Sequence, residues 1–169
     1  MSSHDVAGFL RHVRLFHGFS DADRAALGRA LRERGLRKGH VLFHEGDHGD
    51  EMFLVRRGTI VVSKTVTGAV EQVVARMGPG EFFGEMSLFD RVGAPRSATV
   101  QADPETDVTL LVLDRVSLEA LTEANPRAAV SFFRALVEVF IDRLRTSNEK
   151  VVEVTRWGLE ATGLDVEGR

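Results

Sequence analysis

Phe83-Gly84-Glu85-Met86-Ser87-Leu88-Phe89, followed by Pro95-Arg96-Ser97-Ala98-Thr99-Val100, brings together the groups needed to hold an anionic sugar. Gly84 lets the backbone approach a ligand closely, and residues 85–88 can form one short helical turn whose free amides point at an anion. Arg96 adds a planar guanidinium that takes two phosphate oxygens at once, a geometry lysine does not offer. Glu85 looks misplaced beside an anion until the sugar is considered. An ionised carboxylate only accepts hydrogen bonds, so it suits a hydroxyl donor and not a phosphate. Taken singly, Glu85 and Arg96 read as an ordinary ion pair between a loop and a strand. That reading does not explain why Gly84, Ser87, Pro95 and Ser97 also fall in place, so the ligand reading is preferred.

These two blocks resemble the phosphate-binding cassette of cyclic-nucleotide-binding domains, the family that includes bacterial cAMP receptors and the regulatory subunits of protein kinase A. The resemblance implies that Glu85 binds the ribose 2'-hydroxyl and Arg96 the cyclic phosphate. It also implies phosphate contacts from the backbone amides of Gly84, Met86 and Ser87 and from the amide and hydroxyl of Ser97, and it places Phe83 and Ala98 among the ligand-binding residues. The link Asp90-Arg91-Val92-Gly93-Ala94 is a residue or so longer than the family's usual one, a departure in loop length and not in chemistry.

Outward from the cassette, residues 33–115 are filled with glycine turns such as Lys38-Gly39, Glu45-Gly46-Asp47, Arg57-Gly58 and Met77-Gly78-Pro79-Gly80. Between them His40–Phe43, Glu51–Val55, Thr59–Ser63, Glu71–Ala75, Ser97–Val100 and Val108–Leu113 read as strands. Many short strands punctuated in this way predict an antiparallel β-barrel or jelly roll, with the cassette at 83–100. Ahead of it, over residues 1–32, Val6, Phe9, Leu10, Val13, Leu15 and Phe16, then Leu27 and Leu31, recur at helical spacing. Ser20 is the expected N-cap of the second of these helices. Its side chain can receive the amide of Asp23, while Asp21 and Asp23 suit the positive helix end.

Residues 116–157 read as C-terminal helices and 158–169 as a tail. Asn125-Pro126 marks a helix start, and no further proline or glycine occurs until Gly158. A helix over 126–157 is about 48 Å long. Val130, Phe133, Val137, Phe140, Leu144, Val151 and Val154 occupy heptad a and d positions, with Ser147 as the polar exception. This predicts a parallel homodimer through the long helix. Phe132, Leu136 and Ile141 lie on a neighbouring face suited to packing on the barrel. The segment Arg143–Val151 is similar to the base-reading part of this helix in bacterial cAMP receptors. The resemblance makes Arg143 the partner of Glu85 or the sugar, and Ser147 and Asn148 the candidates for touching the base. A polar layer that sets helix register explains Ser147 equally well. That segment favours adenine, hence cAMP. cGMP remains the alternative, because Ser97 could meet a guanine amino group. Trp157 is expected to pack at the helix end, with an aromatic lid over the base as the other reading.

Composition sets outer limits. The 169 residues carry 22 Lys and Arg against 25 Asp and Glu, a formal net charge of −3, with no long basic run, so a non-specific grip on nucleic acid is not supported. No cysteine is present, which excludes disulfides and thiolate chemistry. The N-terminus lacks a signal-peptide pattern, and no apolar run approaches a membrane span. A cytoplasmic protein without nucleic-acid or membrane partners is expected.

The family's transcription factors carry a helix-turn-helix domain after the long helix, and Gly158–Arg169 is too short for one. That leaves a stand-alone receptor acting on an effector protein, or a fragment. His40, His44 and His48, with Glu45, Asp47 and Asp50 nearby, raise the alternative of a cupin-like metal enzyme. A cupin, however, needs a later histidine on a facing strand, and none follows His48. No nucleophile, base and oxyanion-donor set accompanies the cassette either, so neither an enzyme nor a cofactor is expected. A nucleotide-independent scaffold is the remaining alternative. Such a protein would be expected to lose the motif acid or base, and this chain keeps both.

Overall fold

A computed structural model of the chain describes residues 3–67, 70–89 and 95–161. The Asp90–Ala94 link and the end of the tail lie outside the described residues. Two units divide the chain, residues 1–131 and 132–169.

The first unit opens with α1 (Ser3–Leu10), a 3-10 turn at Arg14–Phe16 and α2 (Asp21–Ala30). Val6, Leu10, Val13, Leu15, Phe16 and Leu27 are buried, as their helical spacing requires. The Ser20 hydroxyl accepts from the Asp23 amide at 3.1 Å, and the Asp23 carboxylate accepts from the Ser20 amide at 3.3 Å. This capping box satisfies donors on both sides of the helix start.

Eight strands follow: β1 (Arg32–Leu36), β2 (Val41–Phe43), β3 (Glu51–Arg57), β4 (Ile60–Thr67), β5 (Val70–Met77), β6 (Phe82–Phe83), β7 (Thr99–Ala102) and β8 (Val108–Asp114). They form two four-stranded sheets in the orders β1-β8-β3-β6 and β2-β7-β4-β5, with antiparallel pairing throughout. The fold is the expected antiparallel β-barrel or jelly roll with flanking helices. Phe53, Val55, Ile60, Phe83, Val100, Ala102, Val108, Leu110 and Val112 make its core. On β8, Leu111 and Leu113 are buried as well, because this strand lies between β1 and β3 and is covered on both faces.

Two strands were not legible in the sequence. β1 reads Arg-Glu-Arg-Gly-Leu, too polar to signal a strand. It forms as the sheet edge through its register with β8, where charged side chains keep contact with water. β6 is a two-residue pairing of Phe82 and Phe83 with Leu54 and Phe53. Three expected strands also begin later than predicted: β7 at Thr99, leaving Ser97 and Ala98 ahead of it, β2 at Val41 and β4 at Ile60.

The short α3 (Glu85–Phe89) lies between β6 and β7, and α4 (Arg115–Ala124) follows β8. Asp114 caps α4 by accepting the Ser117 amide at 2.8 Å, and Arg32 lies 3.7 Å from the same carboxylate. The Ser117 hydrogen bonds first, then Arg32, hold the Asp114 carboxyl below the ordinary aspartate range. Its folded-state pKa is therefore the lower one. The stability it contributes is complete above the unfolded value of about 4 and is lost as pH falls through the folded value. Asp114→Asn keeps a good cap but removes the charge. The variant is expected to melt close to the parent at pH 7 and to lose less stability between pH 5 and pH 3. An unchanged acid slope in thermal unfolding would contradict this assignment.

α5 runs from Pro126 to Ala161, 36 residues, four residues past the expected end, because Gly158 does not stop it. Along it Val130, Phe133, Val137, Phe140, Leu144, Val151 and Val154 are all exposed, an apolar seam interrupted at Ser147. Phe132 and Leu136 are buried as expected. Ile141, grouped with them from the sequence, is instead 45% exposed, and Trp157 is 72% exposed and not the packed residue anticipated.

Candidate functional site

Gly84 joins β6 to α3 with φ +78°, which turns the chain sharply enough to start α3 at Glu85. A Cβ at this position would lie 2.8 Å from Arg96 Nη1 and 2.9 Å from the Glu51 carbonyl oxygen, so only glycine fits without displacement. Glu85 opens α3 and is 6% exposed, while Ser87 two residues on is 3% exposed. The Ser87 carbonyl accepts from Arg115 Nη2 at 3.2 Å, and the Arg115 amide donates to the Asp50 carbonyl at 3.2 Å. The first residue of α4 thus ties the cassette to the turn before β3. Met86 points outward, 63% exposed.

Arg96 lies in the cassette three residues before β7 and is 5% exposed. Two backbone bonds clamp it to the Gly46-Asp47 turn: its amide donates to the Asp47 carbonyl at 2.8 Å, and its carbonyl accepts from the Gly46 amide at 2.9 Å. Its Nη1 donates to the Glu51 carbonyl at 2.8 Å and to the Gly84 carbonyl at 3.3 Å. The guanidinium is therefore held at the residue preceding Glu85. Burial pushes its pKa down, against the pull of Glu51, Asp50 and Asp47. It remains a cation, since arginine does not deprotonate in the accessible pH range.

The structure thus brings Arg96 to Gly84, between Phe83 and Glu85 at the start of α3. Ser97 is exposed and Ala98 half-buried, immediately after Arg96. Arg143, Ser147 and Asn148 lie on α5 in the second unit, all with exposed side chains. Among the described residues no three His, Cys, Asp or Glu side chains are placed to hold a metal ion, and His40, His44 and His48 form no such group.

Three residues of the site were missed by sequence reasoning. Gly49 had no local signal, yet a Cβ there would fall 2.4–2.6 Å from Nη2, Cζ and Nε of Arg96. Glu51 contributes its backbone carbonyl, which no side-chain pattern reveals. Phe43 counted only as a strand residue, yet its ring centroid is 4.3 Å from Arg96 Cζ. A cavity of about 410 Å³ borders this group, lined by Phe43, Asp47, Gly49, Asp50 and Arg96 among others.

The arrangement fits a phosphate. Among the described residues Nε of Arg96 is buried and meets no acceptor, and a buried donor left in that state is costly. An oxyanion satisfies it with a charge-assisted bond. At Gly49 and Gly84 the backbone packs closely on the guanidinium and leaves no room for a side chain at either position. Glu85, acceptor-only when ionised, suits a sugar hydroxyl beside it.

Comparison with known proteins places this geometry in a lineage. The profile of the cyclic nucleotide-binding domain matches residues 33–125, more than half of the chain. The chain is 28% identical over 145 residues to a CRP-like cAMP-activated global transcriptional regulator of Mycobacterium tuberculosis, covering 86% of this chain and 61% of that protein. It is 37% identical over 114 residues to a cAMP-dependent protein kinase regulatory subunit of Mycosarcoma maydis, covering 68% and 21%. It therefore spans less than two thirds of the length of these relatives. Among solved structures, the N-terminal domain of a transcriptional regulator from Streptomyces coelicolor A3(2) aligns with a TM-score of 0.69 at 35% identity, over 85% of this chain and 94% of that one. The relatives are regulatory proteins. With the profile running through both sheets, the chain belongs to the cyclic nucleotide-binding domain family.

Proposed function

We propose that this protein is a cAMP receptor whose ligand-bound form regulates a partner protein. The observation that carries the reading is the buried Arg96 guanidinium, anchored on the Glu51 carbonyl and on the carbonyl of Gly84, the residue before the buried Glu85, with Nε lacking an acceptor among the described residues. Arg96 takes the cyclic phosphate and Glu85 the ribose 2'-hydroxyl. The amides of Gly84, Met86 and Ser87 and the amide and hydroxyl of Ser97 add phosphate contacts. Arg143, Ser147 and Asn148 serve the sugar and the base, an assignment supported by the likeness of 143–151 to the base-reading helix of bacterial cAMP receptors.

Ligand that contacts both the cassette and α5 favours the state in which α5 is ordered and correctly placed, a population shift set by differential affinity. The exposed apolar seam of α5 supports a homodimer through that helix. Regulation without turnover agrees with the relatives, one a transcriptional regulator and one a kinase regulatory subunit. A cytoplasmic location is supported by the cysteine-free sequence. No helix among the described residues is long and apolar enough to cross a membrane.

Isothermal titration tests the proposal. The expected result is about one cAMP bound per chain, with cGMP weaker by tenfold or more. No heat with either nucleotide would overturn it, and equal affinity would overturn the adenine assignment alone.

A further inference from the structure

Arg96 has no carboxylate at ion-pair distance among the described residues; its guanidinium meets two carbonyls and two rings. Its Cζ lies 4.3 Å from the centroid of Phe43 and 5.5 Å from that of Phe53. Phe43 is delivered by β2, which pairs with β7, the strand that begins just after Arg96, and Phe43 is in register with Val100. The ring also stands 5.9 Å from Phe53 and 6.2 Å from Phe83, and those two rings stack at 5.2 Å. Phe83 immediately precedes Gly84. One aromatic cluster therefore carries the guanidinium and adjoins the start of the cassette.

A cation over an aromatic face is attracted by the ring quadrupole, more strongly when water is excluded. Here the geometry divides the work. The ring supports the guanidinium, and the Glu51 and Gly84 carbonyls, both at Nη1, fix its rotation about that support. Of the remaining donors, Nε is buried beside the Gly49 backbone and has no acceptor among the described residues. An aliphatic side chain at position 43 would fill the space and leave the orientation of the guanidinium unsupported. Its recovery on binding would then cost side-chain entropy.

We infer that Phe43 is a positioning residue for the ligand's phosphate: its ring seats the Arg96 guanidinium so that the Nε edge stays aimed for a phosphate oxygen. The inference rests on the reading of Arg96 as the phosphate ligand. The test compares Phe43→Leu, which removes the ring, with Phe43→Tyr, which keeps it. Position 43 is only half-buried and borders the polar cavity, so a tyrosine hydroxyl is accommodated.

Two measurements are made on each protein. Titration with cAMP is expected to show about tenfold weaker binding for Phe43→Leu and binding within about twofold of the parent for Phe43→Tyr. In the ligand-free protein, the NMR signal of the Arg96 Nε–H, identified by its loss in Arg96→Ala, is expected to carry a ring-current displacement that Phe43→Leu removes and Phe43→Tyr retains. A merely structural role predicts a lower melting temperature for Phe43→Leu with affinity and NMR signal unmoved, and that result overturns the inference. Tighter binding by Phe43→Leu also overturns it, since the ring would then be holding the arginine away from the ligand. Should the parent bind no cyclic nucleotide, the functional reading fails by itself. The NMR signal then decides whether Phe43 seats Arg96: displacement in the parent and its loss in Phe43→Leu support the seat, and an undisplaced parent signal overturns it.

Discussion

Replacing Arg96 by alanine is expected to weaken cAMP binding at least about a hundredfold while leaving the barrel folded. The size of the loss follows from burial. Arg96 is 5% exposed, so a phosphate that meets it gives up water on both sides of the contact, and deleting one partner leaves the other desolvated and unmatched. The fold is expected to survive because two effects oppose each other. Alanine forfeits the bonds to the Glu51 and Gly84 carbonyls, but it also relieves the burial of a charge whose pKa is already pushed down. The backbone clamp to Gly46 and Asp47 does not depend on the side chain. Arg143→Ala is expected to weaken binding less, because its proposed partners are Glu85 and the sugar and not the phosphate. Unchanged affinity of Arg96→Ala by calorimetry, with an intact thermal transition, would remove the central claim.

That the arginine could be named from the sequence, while its support could not, reflects what each kind of residue advertises. Arg96 and Glu85 are charged groups in a short block with Gly84, and their chemistry is readable one residue at a time. Glu51 acts through a carbonyl, which every residue possesses. Phe43 looks like any strand hydrophobe until pairing with β7 brings it to the arginine. Gly49 sits in a loop where a glycine needs no explanation, and only the folded guanidinium gives it one.

The same distinction runs through the fold. Local signals were legible: the Ser20 capping box formed as the spacing of Ser20 and Asp23 implied, and α5 began at Pro126. β1 was hidden because an edge strand can be charged, and its identity comes from β8 beside it. The position of Ile141 was misread because helical periodicity gives a face and not how far along the helix the covering extends. Phe132 and Leu136 are buried and Ile141, five residues on, is not.

Gly84→Ala is expected to cost about 3–5 kcal/mol of stability and to weaken cAMP binding at least about thirtyfold, whereas Gly80→Ala costs about 1–2 kcal/mol and binds normally. Both glycines hold a left-handed backbone, with φ +78° at Gly84 and +90° at Gly80, so the conformational penalty of a Cβ is shared. Their surroundings differ. Nothing lies within 4 Å of a Cβ placed at Gly80, whereas one at Gly84 meets Arg96 Nη1 at 2.8 Å and the Glu51 carbonyl at 2.9 Å. The Glu51 carbonyl belongs to β3, where Glu51 is in register with Asp114 of β8, so its withdrawal is resisted. The strain must fall on the cassette and on the guanidinium, the two groups the ligand is proposed to bridge. Urea unfolding and titration of both variants separate the shared cost from the specific one. If Gly84→Ala matched Gly80→Ala in both measurements, the tight approach of cassette backbone to arginine would not be what holds the site in shape.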